Sequence, residues 1–160
     1  MAKTSRQVTV TIGERGMRVG TLRFESDGRR QSSAFEYDPE WLSFEGGFDL
    51  SPTLPRRPGP FFSSATRENP RLALPGAISD ATPDSWGRSL MKSALGGGLT
   101  EFDYLTLSDD RTRQGALRYL DERGQQMTDP DRPLSRKTFP LEKLRALALA
   151  YDRDPARAEA

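Results

Sequence analysis

Leu74-Pro-Gly-Ala-Ile-Ser-Asp-Ala-Thr-Pro-Asp-Ser-Trp-Gly-Arg-Ser-Leu-Met-Lys-Ser-Ala-Leu95 carries the densest local signals in the chain. Thr82 offers a hydroxyl to an orphan backbone N–H and reads as an N-cap. Pro83 suits the first helical position, where its missing N–H costs nothing. Asp84 then meets the positive end of the helix dipole. Trp86, Leu90 and Ala94 recur at steps of four, with Met91 and Leu95 beside them, so one apolar stripe runs down the predicted helix. Gly96-Gly97-Gly98 ends it, because glycine accepts a left-handed cap without steric cost. A tryptophan on that stripe asks for cover, which makes this helix the expected centre of packing.

Upstream, Val8, Val10 and Ile12 alternate with Thr9 and Thr11, the period of a half-buried strand. Gly13-Glu-Arg-Gly16 is a turn, and Arg18 to Phe24 returns as a second strand. Val19 falls out of phase with Leu22 and Phe24, which places an irregularity at Gly20. After a turn at Ser26-Asp-Gly28, Ser33, Phe35 and Tyr37 mark a third strand, and an antiparallel meander is the topology with the shortest loops. Asp38-Pro39-Glu40 opens a short helix carrying Trp41 and Leu42. Leu50 to Leu54 reads as an edge strand, restricted by Pro52 and Pro55. Arg56 to Pro70 reads as a long loop with Phe61-Phe62 as an aromatic plug.

Downstream, Thr100-Glu-Phe-Asp103 fits a capping box ahead of a short helix with Phe102, Leu105 and Leu107. Gly115 to Leu120 reads as a strand. Residues 121–138 are polar and form a linker, and Pro140 starts a last helix whose Leu141, Leu144, Ala148 and Tyr151 define a face that wants burial. The fold class is therefore α+β: a small antiparallel sheet, meander plus edge strands, packed with a few helices. Residues 1–120 form the domain, 121–138 the linker and 139–160 the terminal helix.

The composition narrows the chemistry. With 160 residues and a formal charge of +1, nothing points to an electrostatically driven nucleic-acid or membrane partner. There is no Cys and no His, which removes disulfides, thiolate or imidazole metal sites and Ser-His-Asp nucleophile activation. Apolar residues make up 34%, against roughly 45–50% (glycine included) in typical domains, so the core is modest and a partner or a further domain is expected to supply some of the stability. No apolar run reaches membrane-spanning length and the amino terminus lacks a signal core, so the chain reads as soluble and cytoplasmic.

Several residues have two readings. Asp80 and Asp84 would share a helix face as an acid–base pair, but Pro83 starts a helix between them, so one caps and the other complements a dipole. Gly96 to Gly98 suggest a phosphate cradle, yet no lysine follows at P-loop spacing, which leaves a cap and hinge. Ser85 and Ser89 have only Lys92 nearby to activate them. Arg56 and Arg57 suit a phosphate or plain solvation. For Trp86 and Arg88, the residues favour core for the tryptophan and a surface salt bridge for the arginine. The alternative makes them interface anchors, a role in which both types are enriched.

Pro75 to Arg88 resembles the signature of the N-terminal region of HipA-family proteins, the serine/threonine kinase toxins of bacterial toxin–antitoxin systems. Three further pieces agree in order and spacing: Phe35-x-Tyr37 with Trp41-Leu42, then Leu50-Ser-Pro-Thr-Leu-Pro55, then Leu99-Thr-Glu-Phe-Asp-Tyr-Leu105 followed by Asp109-Asp-Arg-x-x-x-Gly-Ala-Leu-Arg118. Together they cover most of Val8 to Tyr119. The resemblance implies an N-terminal α+β portion ahead of a kinase core. Phosphoryl transfer needs a glycine-rich loop, a phosphate-binding lysine, a catalytic Asp and metal-binding Asn and Asp. This chain has none of that set, and its single asparagine is Asn69. The expectation is a noncatalytic module, or a fragment, that docks on or restrains a HipA-like kinase core. The alternative is the N-terminal part of an active kinase whose core lies further along or on another chain. The implied partners are that core and a helix-turn-helix antitoxin, with no direct nucleic-acid or membrane contact and no cofactor. Asp84, Trp86 and Arg88, with Arg56 and Arg57, are the expected partner-binding residues.

Overall fold

The alternation of Val8, Val10 and Ile12 becomes strand β1 (Thr4–Ile12), which pairs antiparallel with β2 (Met17–Ser26), as β2 does with β3 (Gln31–Tyr37). The structure, a computed structural model, describes residues 3–27, 30–110, 113–125, 127 and 141–153. Between β1 and β2, Gly16 N–H donates to the Gly13 carbonyl at 3.1 Å. The phase break near Gly20 is a bulge. Val10 faces Gly20 and Thr11 faces Arg18, so Val19 is the extra residue, buried with Leu22 and Phe24. Gly20 is required by close approach: a Cβ there would stand 2.3 Å from the Glu36 carbonyl oxygen and 2.8 Å from the Phe35 ring.

Two further strands complete the sheet. β4 (Phe61–Ser64) pairs with β3, and β5 (Leu117–Leu120) pairs with β1, giving the order β4-β3-β2-β1-β5. This corrects two expectations. Phe61 and Phe62 do not plug a loop but form the edge strand, Phe61 half-buried and Phe62 79% exposed. Leu50 to Leu54 is no sheet strand; it closes on itself, with Leu54 N–H donating to the Ser51 carbonyl at 2.9 Å. Pro52 and Pro55 have no N–H to give a ladder, whereas residues 61–64 hold no proline.

The helices are short. Asp38 caps α1 (Pro39–Ser43) by accepting Glu40 N–H at 3.0 Å, as the Asp-Pro-Glu triplet predicts. A 3-10 turn (Pro70–Ala73) leads into α2 (Gly76–Ser79), then α3 (Ser85–Leu95) and α4 (Glu101–Thr106). The expected capping box opens α4: Thr100 Oγ1 accepts Asp103 N–H at 3.2 Å while Asp103 Oδ2 accepts Thr100 N–H at 2.7 Å. Gly96, with φ 84°, ends α3 as expected.

The core lies between the sheet and the elements that follow β4. Val10, Leu22, Phe24 and Phe35 meet Leu74, Ile78, Phe102 and Leu105, with the Phe24 and Phe102 rings 5.3 Å apart. Each such side chain contributes about 1.5–3 kcal/mol by leaving water. No member of this cluster comes from α3, so the central helix is not the centre of packing. Met91 is its one buried apolar residue, and Trp86 is 51% exposed. The sheet's apolar face is already filled by the 3-10 turn, α2 and α4, which leaves α3 at the flank.

The linker expected over 121–138 lies outside the described residues except at its start, where Asp121 N–H donates to the Gln125 carbonyl at 2.8 Å. The last helix, α5 (Leu141–Arg153), forms as its periodicity predicts, but Leu141 and Ala148 on its expected buried face are exposed. Among the described residues no helix is long and apolar enough to cross a membrane.

Candidate docking site

The residues singled out around Trp86 are positioned by one buried ion pair. Arg88, on the first turn of α3, donates from Nη1 and Nη2 to Glu101 Oε1 and Oε2 at 2.7 and 2.8 Å. The side chains are only 13% and 4% exposed, so this is a desolvated bidentate pair, not the surface bridge expected of Arg88. Nη2 also donates to Thr82 Oγ1 at 2.7 Å and Nε to the Pro83 carbonyl at 3.0 Å. The guanidinium lies over the Tyr104 ring, 4.4 Å from its centroid. One side chain thus fastens the Thr82-Pro83 turn and α3 to the start of α4.

This explains why Thr82 is not the N-cap. A helix starting at Pro83 would use its carbonyl for Gly87 N–H. Instead that carbonyl receives Arg88, and Gly87 N–H donates to Asp84 Oδ1 at 2.8 Å, making Asp84 the cap. Thr82 Oγ1 donates to the Ser79 carbonyl at 2.7 Å and closes the preceding turn. Gly87 is needed for this arrangement, since a Cβ would come within 2.9 Å of Pro83 Cβ.

A second buried arginine supports the other wall. Arg113 donates Nε to Asp110 Oδ1 at 2.7 Å, Nη1 to the Ala81 carbonyl at 3.0 Å and Nη2 to the Ser108 carbonyl at 2.9 Å. Its guanidinium stands over the Tyr119 ring, whose hydroxyl burial holds well above the usual phenol range. Tyr104 is raised in the same direction, by burial and by the Glu101 and Asp103 charges, with Arg88 opposing. Between the walls runs an open groove of about 540 Å³, lined by Asp80, Asp84, Trp86, Ser108 and Arg113 among others.

The structure therefore brings Asp84 and Trp86 to one groove and places Arg88 behind them as their support. Arg56 and Arg57 do not line it. Arg56 N–H donates to Asp49 Oδ1 at 2.6 Å and its Nη1 to the Phe44 carbonyl at 2.7 Å, while Arg57 stacks on Phe61 at 4.2 Å. Sequence reasoning missed Glu101 as the partner of Arg88. It also missed Arg113, which fell in the unassigned part of the Asp109–Arg118 motif. A carboxylate thirteen residues away leaves no local periodicity to read.

Two of the four ordered motifs, Pro75–Arg88 and Leu99–Arg118, build the groove and its clamps, while Phe35–Leu42 and Leu50–Pro55 pack in or against the core. Residues 10–120 match the family model described as the HipA N-terminal domain. The chain belongs to the HipA N-terminal domain family. No kinase core domain was found in its 160 residues, and no curated protein matches the chain. In this HipA N-terminal domain the family segment 75–88 is the groove's wall and the α3 cap, fixed from behind by α4.

Proposed function

We propose that this HipA N-terminal domain is a noncatalytic docking module that binds a HipA-like kinase core and restrains it. The observation that carries the reading is Trp86: 51% exposed on a groove rim whose backbone is clamped by two buried arginine–carboxylate pairs. A large aromatic held exposed on a rigid support suits an anchor, because little conformational freedom is lost when a partner covers it. Asp84 and Trp86 meet the partner, Arg88 positions them, and Arg56 and Arg57 form a second, basic contact. The chain's lack of His, of a P-loop lysine spacing and of a catalytic Asn agrees with a role exerted through binding.

A second reading makes the chain the N-terminal part of an active serine/threonine kinase toxin whose core lies elsewhere. It is favoured by α5, which leaves Leu141 78% exposed and so suits a helix covered by a further domain. One experiment separates the two. Purified chain is mixed with the cognate kinase core and magnesium ATP. Restraint predicts stable capture and falling autophosphorylation; the second reading predicts capture with rising activity. No capture refutes both, and labelling by the chain alone refutes its noncatalytic character.

A further inference from the structure

The sheet ends in β4 on one side and β5 on the other, and the two edges are not alike. Ala65 N–H donates to the Gln31 carbonyl at 2.8 Å, in register with the β3–β4 ladder that sets Ser63 against Ser33 and Phe61 against Phe35. Bonding residues alternate along an antiparallel strand, so Phe61, Ser63 and Ala65 turn to β3 while Phe62 and Ser64 turn their N–H and C=O outward. Nothing among the described residues bonds those outward groups. On β5, Gly13 N–H donates to the Ala116 carbonyl, and by the same alternation Leu117 and Tyr119 face outward. There Arg118 Nη1 donates to the Leu117 carbonyl at 2.8 Å and to that of Gly115 at 3.0 Å. A charged side chain laid along an edge guards it against pairing. β4 has no such guard: Phe61 to Ser64 hold no charge and no proline, and Phe62 is 79% exposed.

What fits such an edge is set by its own donors and acceptors, and that is another strand. Their spacing says which one. Outward residues two apart complement themselves when a second copy runs antiparallel about Ser63. Phe62 N–H and C=O then meet the C=O and N–H of Ser64 in the second copy, and the reverse, so every outward group finds a partner. Neighbouring registers fail. Centred on Phe62, the pairing sets Ser64 against Pro60, which has no N–H to give. Centred on Ser64, it sets Phe62 against Thr66, whose N–H is already donated to the Asn69 carbonyl at 3.2 Å. With a formal charge of +1, two copies meet without strong repulsion. On the open face each Phe62 ring lies beside Ser64 of the second copy and diagonal to its Phe62, which covers the aromatic.

We infer that β4 is a self-pairing edge, through which two copies of this chain join about a two-fold axis at Ser63 into one continuous sheet. No residue of β4 lines the Trp86 groove, so this surface is separate from the proposed docking site, and the inference does not depend on that reading.

The full chain supplies the test. It contains no cysteine, so a disulfide made from one introduced thiol must join two copies. Ser63 meets its own counterpart in a non-hydrogen-bonded pair, with Cα atoms about 4.5 Å apart and inside the disulfide range. Phe62 and Ser64 lie about 7–8 Å from their counterparts, outside it. In a glutathione redox buffer, Ser63→Cys should form covalent dimer at least about tenfold faster than Phe62→Cys or Ser64→Cys. Equal rates at the three positions, faster linking at 62 or 64, or none at 63 overturns the inference. Should Ser63→Cys fail to fold, sedimentation of the unmodified chain decides alone. So short an interface falls below the roughly 800 Å² per partner of stable complexes, so dimer should grow as the chain is concentrated towards about 1 mM. Ser64→Pro removes an N–H that points away from β3, and should weaken the dimer about tenfold while the monomer keeps its Tm. Phe62→Lys repeats that test with an edge lysine if Ser64→Pro does not fold. A chain that stays monomeric throughout that range, or a dimer undiminished by the folded variant, overturns the inference.

Discussion

Arg88→Ala is the substitution that tests the architecture most directly. It deletes four hydrogen bonds from one guanidinium, two of them to Glu101, and leaves that carboxylate 4% exposed with its countercharge gone. Adding the bonds one by one, at about 1.5–3 kcal/mol for each charged one, would double count a single rigid group. The better guide is the loss of one member of a buried pair, about 3–5 kcal/mol. Against a total of about 5–15 kcal/mol this is a large share, equivalent to a drop of about 10–20 °C in Tm. Arg88→Lys keeps the charge but loses the fork, and about 2 kcal/mol is expected. Urea melts of wild type, Arg88→Ala, Glu101→Gln and the double variant form a cycle. The double variant should be less destabilised than the sum of the singles by about 2 kcal/mol. A single-variant cost under about 1 kcal/mol, or additivity within about 0.5, would show a solvated surface pair and refute the reasoning.

Trp86→Ala should leave stability within about 1 kcal/mol of wild type while weakening kinase-core capture by about 2 kcal/mol or more, read by calorimetric titration; unchanged capture would remove Trp86 as an anchor. Gly20→Ala forces a Cβ to within 2.3 Å of the Glu36 carbonyl oxygen, and a loss of about 2–3 kcal/mol in a thermal melt is expected. Burial alone would raise Asp103, but hydrogen bonds from Arg6 and Thr100 and the Arg6 charge outweigh it and hold the carboxyl below its ordinary 3.8. Because the folded value is the lower one, its stabilisation is present above the unfolded pKa and is lost as pH falls through the folded value. Asp103→Asn should therefore flatten the acid side of the stability profile below about pH 4, and an unchanged acid limb would count against this ion pair.

Much of the fold was legible because local pattern and tertiary demand agreed. The alternation at Val8–Ile12 needs only one buried face, and the out-of-phase Val19 marked its bulge before any partner strand was known. Asp38 and Thr100 cap helices that begin within the next residue, so the signal and its consequence are neighbours in the chain. Legibility failed where a residue's best partner is remote. Phe61-Phe62 read as a plug because the edge of β3, which makes them a strand, lies some thirty residues upstream. Trp86 read as core because its spacing is helical, and spacing says nothing about whether the facing surface is already full.

Sequence alone determined the α+β class, the three-strand meander and the caps of α1 and α4, since each depends on hydrogen-bonding and steric choices made within a few residues, and its four ordered motifs already carried the HipA resemblance. Tertiary structure alone decided that Asp84 caps α3, that Arg88 is buried against Glu101, and that Trp86 stays in solvent. Those outcomes turn on competition for a finite apolar face and for particular carbonyl oxygens, which is settled only when distant segments occupy the same space.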